Sequence, residues 1–542
     1  MQAARHRFIA KFATALLPVA LAAAGTAAAG TYTWLQAPAS AVWNTTDLNW
    51  WNGSAVVPWI NAADNHAVFS YANSSQKTIG VGAVTLGNLT FSADGYVVAG
   101  GSLAMNGNAT VSTGTAVLQA TVSRAAGAWT RTGAGTLVLD PGAGRTNALY
   151  ALKNDSGTLR IVGGATVVTG STVEGEYKLT DTFHNNGGAI QVWGGLLKTT
   201  GTGWVAQNGT LAITNGLVDF TSITQVLNAY GASASTTVSG SGVLDVTELR
   251  VTQFNGGYDK ATINLNAGGA LRLHRLYHDT ASSSTRGSVN FNGGALVAKS
   301  SRTDFLGTTS ANWRQGVRLQ VREGGAIIDS NGYTVDSKQP FHSGAAADGG
   351  LVKRGAGTFT LATTNGYNGA TSVEAGTLKL GVDDALPPAN AVAVSAGATF
   401  DLNGRTQTLA TLGGAGTVAN GAALSVTGSI APGDGGGVGT LTLAATPASL
   451  VGAQLAITVL TNGVSDRLHV EGDLDLEGMT LVLDDPVPGD QSQAYVVASC
   501  TGALRGEFES VVQQPSKWRV VYAPERKQVL VDYRRASLFI MR

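Results

Sequence analysis

The sequence is poor in cysteine, proline and charge, and these shortages exclude several classes of protein. Cys500 is the only cysteine, so no intramolecular disulfide can form and stability must come from hydrogen bonds and packing. The 13 Pro residues are too few for a collagen-like rod, and glycine shows no three-residue period. The 35 basic residues balance the 35 acidic residues, so the chain lacks the excess of positive charge that is typical of nucleic-acid-binding proteins.

Glycine and small hydrophobic residues are abundant instead. The chain contains 72 Gly among 542 residues, and 44% of its residues are hydrophobic. This composition is typical of a folded, turn-rich protein and not of a disordered or membrane-embedded one. Because repetitive all-β proteins grow along one axis, the length of the chain does not by itself set the number of domains.

The first 29 residues form a segment of their own. Basic residues precede an almost continuously apolar run at 12–24, and small residues lead up to Ala29. This pattern predicts a secretory signal peptide, residues 1–29, that is cleaved after Ala29. The apolar run is too short for a comfortable membrane span, and no later stretch reaches the ~20 apolar residues that a spanning helix needs. We therefore expect an exported protein with no transmembrane segment after signal cleavage.

Short β-rich runs recur along the rest of the chain, separated by Gly and Asn. Runs such as 84–91 and 96–103 read as strands that are closed by turns. Gly-Gly-Ala strands begin at Gly268, Gly293 and Gly324. Their irregular spacing does not fit a propeller, and it is close to one solenoid coil with loops of variable length.

The most specific repeat spans residues 351–381, and a partial copy spans 129–164. The better copy contains the elements Lys-x-Gly-x-Gly-Thr, Tyr-x-Gly and Gly-Thr-Leu-x-Leu-Gly. These elements resemble the autotransporter-associated β-strand repeat, a module of bacterial passenger-type proteins. In the partial copy Arg131 replaces the usual Lys. The resemblance implies a passenger-domain-like protein.

The repeat also has a direct physical interpretation. In Gly-Thr-Leu-x-Leu, alternate side chains point to the same side, so the two Leu enter an interior while Thr and Lys face solvent. A single such strand cannot bury its apolar side, but stacked coils can. With ~22 to 25 residues per coil, we predict an all-β fold, a right-handed parallel β-helix (β-solenoid) of roughly 20 coils.

Both ends of such a solenoid need protection, because unpaired strand edges invite association. Residues 30–70 hold half of the ten Trp and predict an N-terminal cap, with sugar stacking on the rings as the alternative. We assign 71–460 to the solenoid and 461–542 to its C-terminal end and closing strands. Because the sequence stops at Arg542, we expect no membrane barrel and no self-translocation; the route across an outer membrane stays open.

A search for chemistry yields only isolated candidates. The run His274, His278 and Asp279 lies in strand-like sequence, where the two imidazoles are ~13 Å apart and do not share a metal ion. Several acidic and glycine-rich segments are equally weak. These are Asp473 with Asp475, Asp466 with Arg467, Asp383 with Asp384, and the calcium-turn-like Gly433-Asp434-Gly435-Gly436-Gly437. We assign no catalytic, cofactor-binding or metal-binding residue.

The sequence therefore favours a secreted or cell-surface structural or adhesive β-helical repeat protein without catalytic activity. Its expected location is extracellular, at the cell surface or in the periplasm, and its expected partners are carbohydrate, cell-surface components or its own copies. The alternative is a β-helical polysaccharide-degrading enzyme, either a lyase or a glycoside hydrolase. Such an enzyme would need carboxylates and basic residues from different coils to converge in one groove.

Overall fold

A computed structural model describes most of the chain outside the predicted signal peptide. The described residues are 29–170, 172–174, 179–228, 233–251, 260–277, 286–307, 317–388, 390–433, 437–460, 464–484, 493–514 and 518–533. Within these ranges the chain forms 53 β-strands and one turn of 3₁₀ helix, Pro524–Arg526, and no α-helix. No helix in these ranges is long and apolar enough to span a membrane. The predicted signal peptide falls almost entirely outside them.

The strands β1 to β53 follow in chain order. They are Thr31–Trp34, Val42–Trp43, Trp50–Trp51, Val56–Val57, His66–Phe69, Thr78–Leu86, Leu89–Phe91, Tyr96–Met105, Ala109–Val111, Thr115–Leu118, Thr121–Thr132, Thr136–Leu139, Thr146–Asn154, Thr158–Ile161, Ala165–Val168, Thr172–Glu174, Leu179–Asn185, Ala189–Trp193, Leu196–Thr199, Trp204–Gln207, Thr210–Thr214, Leu217–Asn228, Ala234–Ser239, Val243–Arg250, Lys260–Asn266, Ala270–Leu273, Arg275–Tyr277, Arg286–Asn292, Ala295–Ala298, Arg302–Leu306, Val317–Val321, Ala326–Asp329, Thr334–Ser337, Phe341–Ser343, Leu351–Arg354, Thr358–Leu361, Thr371–Val373, Thr377–Leu380, Ala391–Val394, Thr399–Asp401, Gln407–Gly414, Thr417–Ala419, Leu424–Pro432, Thr440–Leu443, Gln454–Thr458, Arg467–Val470, Leu474–Asp475, Thr480–Asp484, Ala494–Cys500, Leu504–Arg505, Ser510–Gln514, Trp518–Ala523 and Gln528–Tyr533.

Successive turns of the chain place these strands in three parallel stacks. Stack A is the longest and holds twenty strands: β1, β5, β7, β9, β11, β13, β17, β20, β22, β24, β27, β30, β33, β36, β38, β40, β42, β44, β46 and β49. Stack B runs from β6 through β8 and β10 to β34. Stack C runs from β6 to β51 and includes β35 and β37. The prediction of a parallel β-solenoid of about twenty coils is confirmed.

The interior is one continuous hydrophobic core. Most strands alternate between buried and partly exposed residues, as in Thr158–Ile161 and Thr377–Leu380. Stacking then places like residues in register, for example Leu137 on Leu159. The buried side chains form a single cluster from the first turn to the last. Since neighbouring turns are about 4.8 Å apart, twenty turns give a rod on the order of 90 Å long.

Glycines supply corners that other residues could not occupy. Gly357 has φ +91°, and a Cβ atom added there would lie 2.3 Å from the carbonyl oxygen of Tyr333 on the preceding turn. Both the left-handed backbone and the close approach therefore require glycine. This explains the second glycine of the Lys-x-Gly-x-Gly motif.

Antiparallel strands cover both ends of stack A. At the start, β3 pairs antiparallel with β1 and with β4. At the end, β52 and β53 form an antiparallel hairpin, and β53 pairs antiparallel with β49. A parallel stack that ended bare would expose a row of unpaired backbone groups, so these hairpins protect the rod against edge-to-edge association.

Aromatic rings pack at both ends. Trp34, Trp43, Trp50 and Trp59 are buried, and the ring centroids of Trp43 and Trp50 lie 4.9 Å apart. Trp51 is the exception, with 41% of its surface exposed. At the other end, the buried Trp518 contacts the rings of Tyr495 and Tyr533 edge-on. Four of the five N-terminal Trp rings are therefore core side chains that close the first turn.

Candidate functional site

The candidate His274 lies between β26 and β27, where the chain passes from stack C to stack A. Its Nδ1 atom is 2.7 Å from the hydroxyl of Ser300 on the next turn. Burial, with Lys299 and Arg302 nearby, lowers the pKa of His274. His278 and Asp279, the other members of the predicted run, lie outside the described residues. Among the residues that are described, no group of three metal-ligating side chains comes together.

Around His274 the solenoid assembles a cluster of charged side chains that the sequence did not predict. The Arg275 guanidinium lies 2.8 Å from the Glu248 carboxylate on the preceding turn and 3.1 Å from the Asp304 carboxylate on the following turn. Arg302 contacts Asp304 at 2.8 Å. Lys299 also reaches back across two turns to pair with Asp245. We call these six residues, Asp245, Glu248, Arg275, Lys299, Arg302 and Asp304, the ion-pair cluster.

The ion-pair cluster is balanced in charge and shielded from water. Three carboxylates face three cations, and the side chains are only 15% to 31% exposed. Burial alone would raise the pKa of Asp304, but hydrogen bonds from Arg302 and Arg275 overcome this effect and lower the pKa. Burial alone would lower the pKa of Arg275, but its hydrogen bonds to Glu248 and Asp304 overcome this effect and raise the pKa. The arrangement therefore holds Asp304 ionised, which suits a structural clamp and not a proton donor.

The predicted acidic pair Asp473 and Asp475 does come together, in a cavity of about 330 Å³ near the C-terminal end. Glu477 and Arg505 line the same cavity. Asp473 pairs with Arg505 at 3.0 Å and accepts the backbone N–H of Ala503 at 2.8 Å. These contacts join β47 to β50 on the next turn, so Asp473 serves the stacking of turns.

The remaining candidates act locally on the backbone. Asp466 accepts backbone N–H groups from Gly439 and Thr458 at 2.8 and 2.9 Å, and burial raises its pKa. Arg467 begins β46 with an exposed side chain. Asp383 accepts the N–H of Thr406 at 3.0 Å, whereas its neighbour, residue 384, has the positive φ of a turn.

Two further sequence features need only brief comment. Of the glycine-rich turn, only residues 433 and 437 are described, and residues 434–436 lie outside the description. Cys500 is buried at the end of β49, and burial raises the pKa of its thiol. A buried thiol with a raised pKa has little thiolate, so Cys500 lacks the usual character of a nucleophile.

The basic residue of the repeat motif has a role that alternation alone did not reveal. Lys379 points outward, as the pattern predicts, and lies 3.8 Å from Asp401 on the next turn. Lys353 is fully buried, and its ammonium group donates to the carbonyl oxygens of Arg354, Gly355 and Ala375 at 2.7 to 3.0 Å. The motif lysine therefore ties together the glycine turn that follows it and the adjacent turn of the solenoid.

Arg131 also binds the glycine turn that follows it in the partial copy. It is buried and donates to the carbonyl oxygens of Gly133 and Gly135. The spacing from the basic residue to these carbonyls, two and four residues, matches the Lys/Arg-x-Gly-x-Gly pattern. A basic residue two positions before a positive-φ glycine is thus the sequence signal for this interaction.

Comparison with known proteins agrees with the architecture. Residues 351–380 match the passenger-associated-transport-repeat family. A curated relative, the adhesin BmaC autotransporter of Brucella suis biovar 1 (strain 1330), is 27% identical over 24% of this chain and 4% of its own length. The chain thus spans a small fraction of that relative. The solenoid, the repeat and this similarity together support an autotransporter passenger-like repeat protein.

Proposed function

We propose that this chain is a secreted or cell-surface adhesive rod without catalytic activity. The observation that carries the proposal is the single core that runs through twenty stacked turns, because it leaves a long lateral surface as the main feature available to a partner. Elongated repeat proteins use such surfaces for binding. Similarity to a protein named as an autotransporter adhesin supports the same function.

Export is the first part of the proposal that can be tested. We expect residues 1–29 to be removed and the mature chain to begin at Gly30, within one or two residues. The measurement is cell fractionation followed by N-terminal peptide mass spectrometry of the exported protein. A chain that stays in the cytoplasm with its leader intact would contradict the proposal.

Adhesion is the second part. The mature protein, labelled with a fluorophore, should bind saturably to intact cells or to a glycan array, and unlabelled protein should compete. A heat-unfolded sample provides the control for non-specific attachment. Absence of saturable binding to every cell type and glycan tested would argue for a purely structural rod.

The ion-pair cluster is the strongest observation for the enzymatic alternative, because it brings carboxylates and cations from three turns within hydrogen-bond distance. A glycoside hydrolase needs one carboxylic acid that stays protonated and one free carboxylate. Asp304 is instead held in its ionised form by two arginines. Incubation with acidic and neutral polysaccharides, followed by reducing-end and unsaturated-uronate assays, should detect no turnover; turnover that disappears in Glu248→Gln would favour the enzyme.

A further inference from the structure

A lateral groove of about 630 Å³ opens on the rod where stack B is interrupted. Stack B has regular strands up to β34, and the following turn contributes only a bridge between His342 and Gly366. No strand among the described residues continues the stack until β41. Residues from four successive turns line the resulting groove, from Arg318 on β31 to Val382 beyond β38.

The lateral groove has a positive electrostatic character in a chain whose charges otherwise balance. Arg318 and His342 line it, but burial and the nearby Arg318 lower the pKa of His342. The positive charge therefore comes from Arg318, and none of the lining residues is acidic. Arg318 is exposed on β31 and has no carboxylate within ion-pair distance among the described residues. The arginines of the ion-pair cluster, in contrast, each contact a carboxylate. Within the described residues, the guanidinium of Arg318 is therefore available to bind an anion.

The rest of the lining combines hydroxyl groups with apolar surface. The hydroxyl oxygen of Thr363 is screened from water, so a ligand cannot reach it. The neighbouring Thr364 is exposed and presents its hydroxyl group to the groove, and Pro340 and Val382 contribute apolar walls. An accessible hydroxyl beside apolar surface suits a ligand that offers both hydrogen-bonding groups and C–H faces, as a sugar ring does.

The turn that carries the two threonines is held in place before any ligand binds. The Asn365 side chain donates to the carbonyl oxygens of Thr363 and Ala385, each at 2.9 Å, and accepts the N–H of Phe341 at 2.8 Å. These contacts connect three successive turns of the solenoid. A fixed turn lowers the entropy lost on binding, which favours recognition of a defined ligand.

We propose that the lateral groove binds an acidic sugar segment of a polysaccharide, with the Arg318 guanidinium on its carboxylate or sulfate and the Thr364 hydroxyl on a ring substituent. This proposal rests on the proposed adhesive function and names the ligand class for it. Inorganic phosphate would leave the apolar walls uncovered. A neutral sugar would leave Arg318 without a partner.

Calorimetric titration of the mature chain tests the proposal with four probes: tetragalacturonate, a heparin-derived tetrasaccharide, maltotetraose and inorganic phosphate. A tetraglutamate peptide is titrated alongside them as an acidic peptide. We expect at least one acidic oligosaccharide to bind, and maltotetraose, phosphate and the peptide to bind at least tenfold more weakly. Failure of both acidic oligosaccharides to bind would overturn the proposal. Arg318→Gln should weaken the binding about tenfold or more, the loss of one charge-assisted hydrogen bond. Thr364→Val, which keeps the shape of the side chain, should weaken it by about threefold.

The matched control is Arg272→Gln, which removes an exposed arginine from stack C on β26 and should leave the affinity unchanged. Circular dichroism verifies that each variant keeps the β-fold. Equal loss in Arg272→Gln, no loss in Arg318→Gln, or phosphate or an acidic peptide binding as tightly as the oligosaccharides would overturn the proposal. If the chain adheres to cells but Arg318→Gln has no effect, the proposed sugar site is contradicted and the proposed adhesive function is supported. If oligosaccharide binding depends on Arg318 but the chain does not adhere, the sugar site is supported and the adhesive function is contradicted.

Discussion

At the scale of single residues, the buried lysine Lys353 shows how a charge can be accommodated in a solenoid core. Its ammonium group has no carboxylate in contact and is satisfied by three backbone carbonyl oxygens. Burial lowers the pKa of Lys353 from 10.5 to about 8. Burial also lowers the pKa of Arg131 to about 10. The repeat thus uses a basic residue as a multiple hydrogen-bond donor to a glycine turn.

The lowered pKa of Lys353 predicts a pH dependence of stability. Because the folded-state pKa lies below the unfolded value, the unfolded state binds more protons between pH 8 and 10.5, and stability should rise with pH in this window. The full effect is about 3 kcal/mol. The measurement is the difference in urea midpoint between wild type and Lys353→Met at several pH values, because the difference cancels the titration of other groups.

Lys379→Met provides the control for this experiment, since Lys379 points outward on the same repeat. As the pH rises, we expect the stability of the wild-type protein to increase relative to that of Lys353→Met. The difference in stability between wild type and Lys379→Met should not change with pH. A flat Lys353→Met difference would mean that the carbonyl hydrogen bonds fully offset the burial of the charge.

At the scale of the strand, stack A contains a ladder of buried amides. Asn154, Asn185 and Gln207 occupy equivalent positions on three successive turns. The Asn154 amide donates to Asn185 at 3.0 Å, and the Asn185 amide donates to Gln207 at 2.9 Å. Stacking makes such a ladder possible, because each side chain meets its equivalent on the next turn and can donate a hydrogen bond to it within the core.

Removing the middle amide should destabilise the stack. In Asn185→Ala, the Asn154 amide loses its acceptor, Gln207 loses a donor and a cavity remains, so we expect a loss of about 2 to 3 kcal/mol. The neighbouring Asn186→Ala removes an exposed amide and should change stability by less than about 0.5 kcal/mol. Thermal and urea unfolding of both variants provide the measurement; equal effects would show that the ladder adds nothing beyond packing.

At the scale of the whole molecule, the antiparallel hairpins cover strand edges through which copies of the rod could pair. The C-terminal hairpin of β52 and β53 covers the last strand of stack A, β49. Its Trp518 also closes the core between two tyrosine rings. Without the hairpin, a strand edge and the end of the core would both face solvent.

Deleting the chain from Trp518 onward should therefore cause self-association. The exposed β49 edge can pair with another copy, so light scattering should show oligomers that grow with concentration. Arg519→Gln, which removes an exposed ion pair with Asp532 but keeps the hairpin backbone, should stay in the wild-type state. A deletion variant that remains in that same state at all concentrations would show that the hairpin is dispensable for edge protection.

The sequence by itself determined the fold class, because hydrophobic alternation and glycine corners are local properties. The motif of residues 351–381 also indicated the repeat and its passenger-like relatives. Local pattern could not show that Lys353 and Arg131 point inward. Alternation reports only whether a side chain prefers water, and it does not show which backbone carbonyl groups can accept hydrogen bonds from a buried basic residue.

Only the tertiary structure decided which turns meet, and therefore where charges gather. The two copies of the motif occupy different stacks: Lys353 lies on stack C and Arg131 on stack A. The ion-pair cluster joins residues that are up to 54 positions apart, and the lateral groove exists because one stack loses its strand over two turns. Loops of irregular length set the register of these turns, so contacts between turns follow from the winding of the whole chain and not from any short segment.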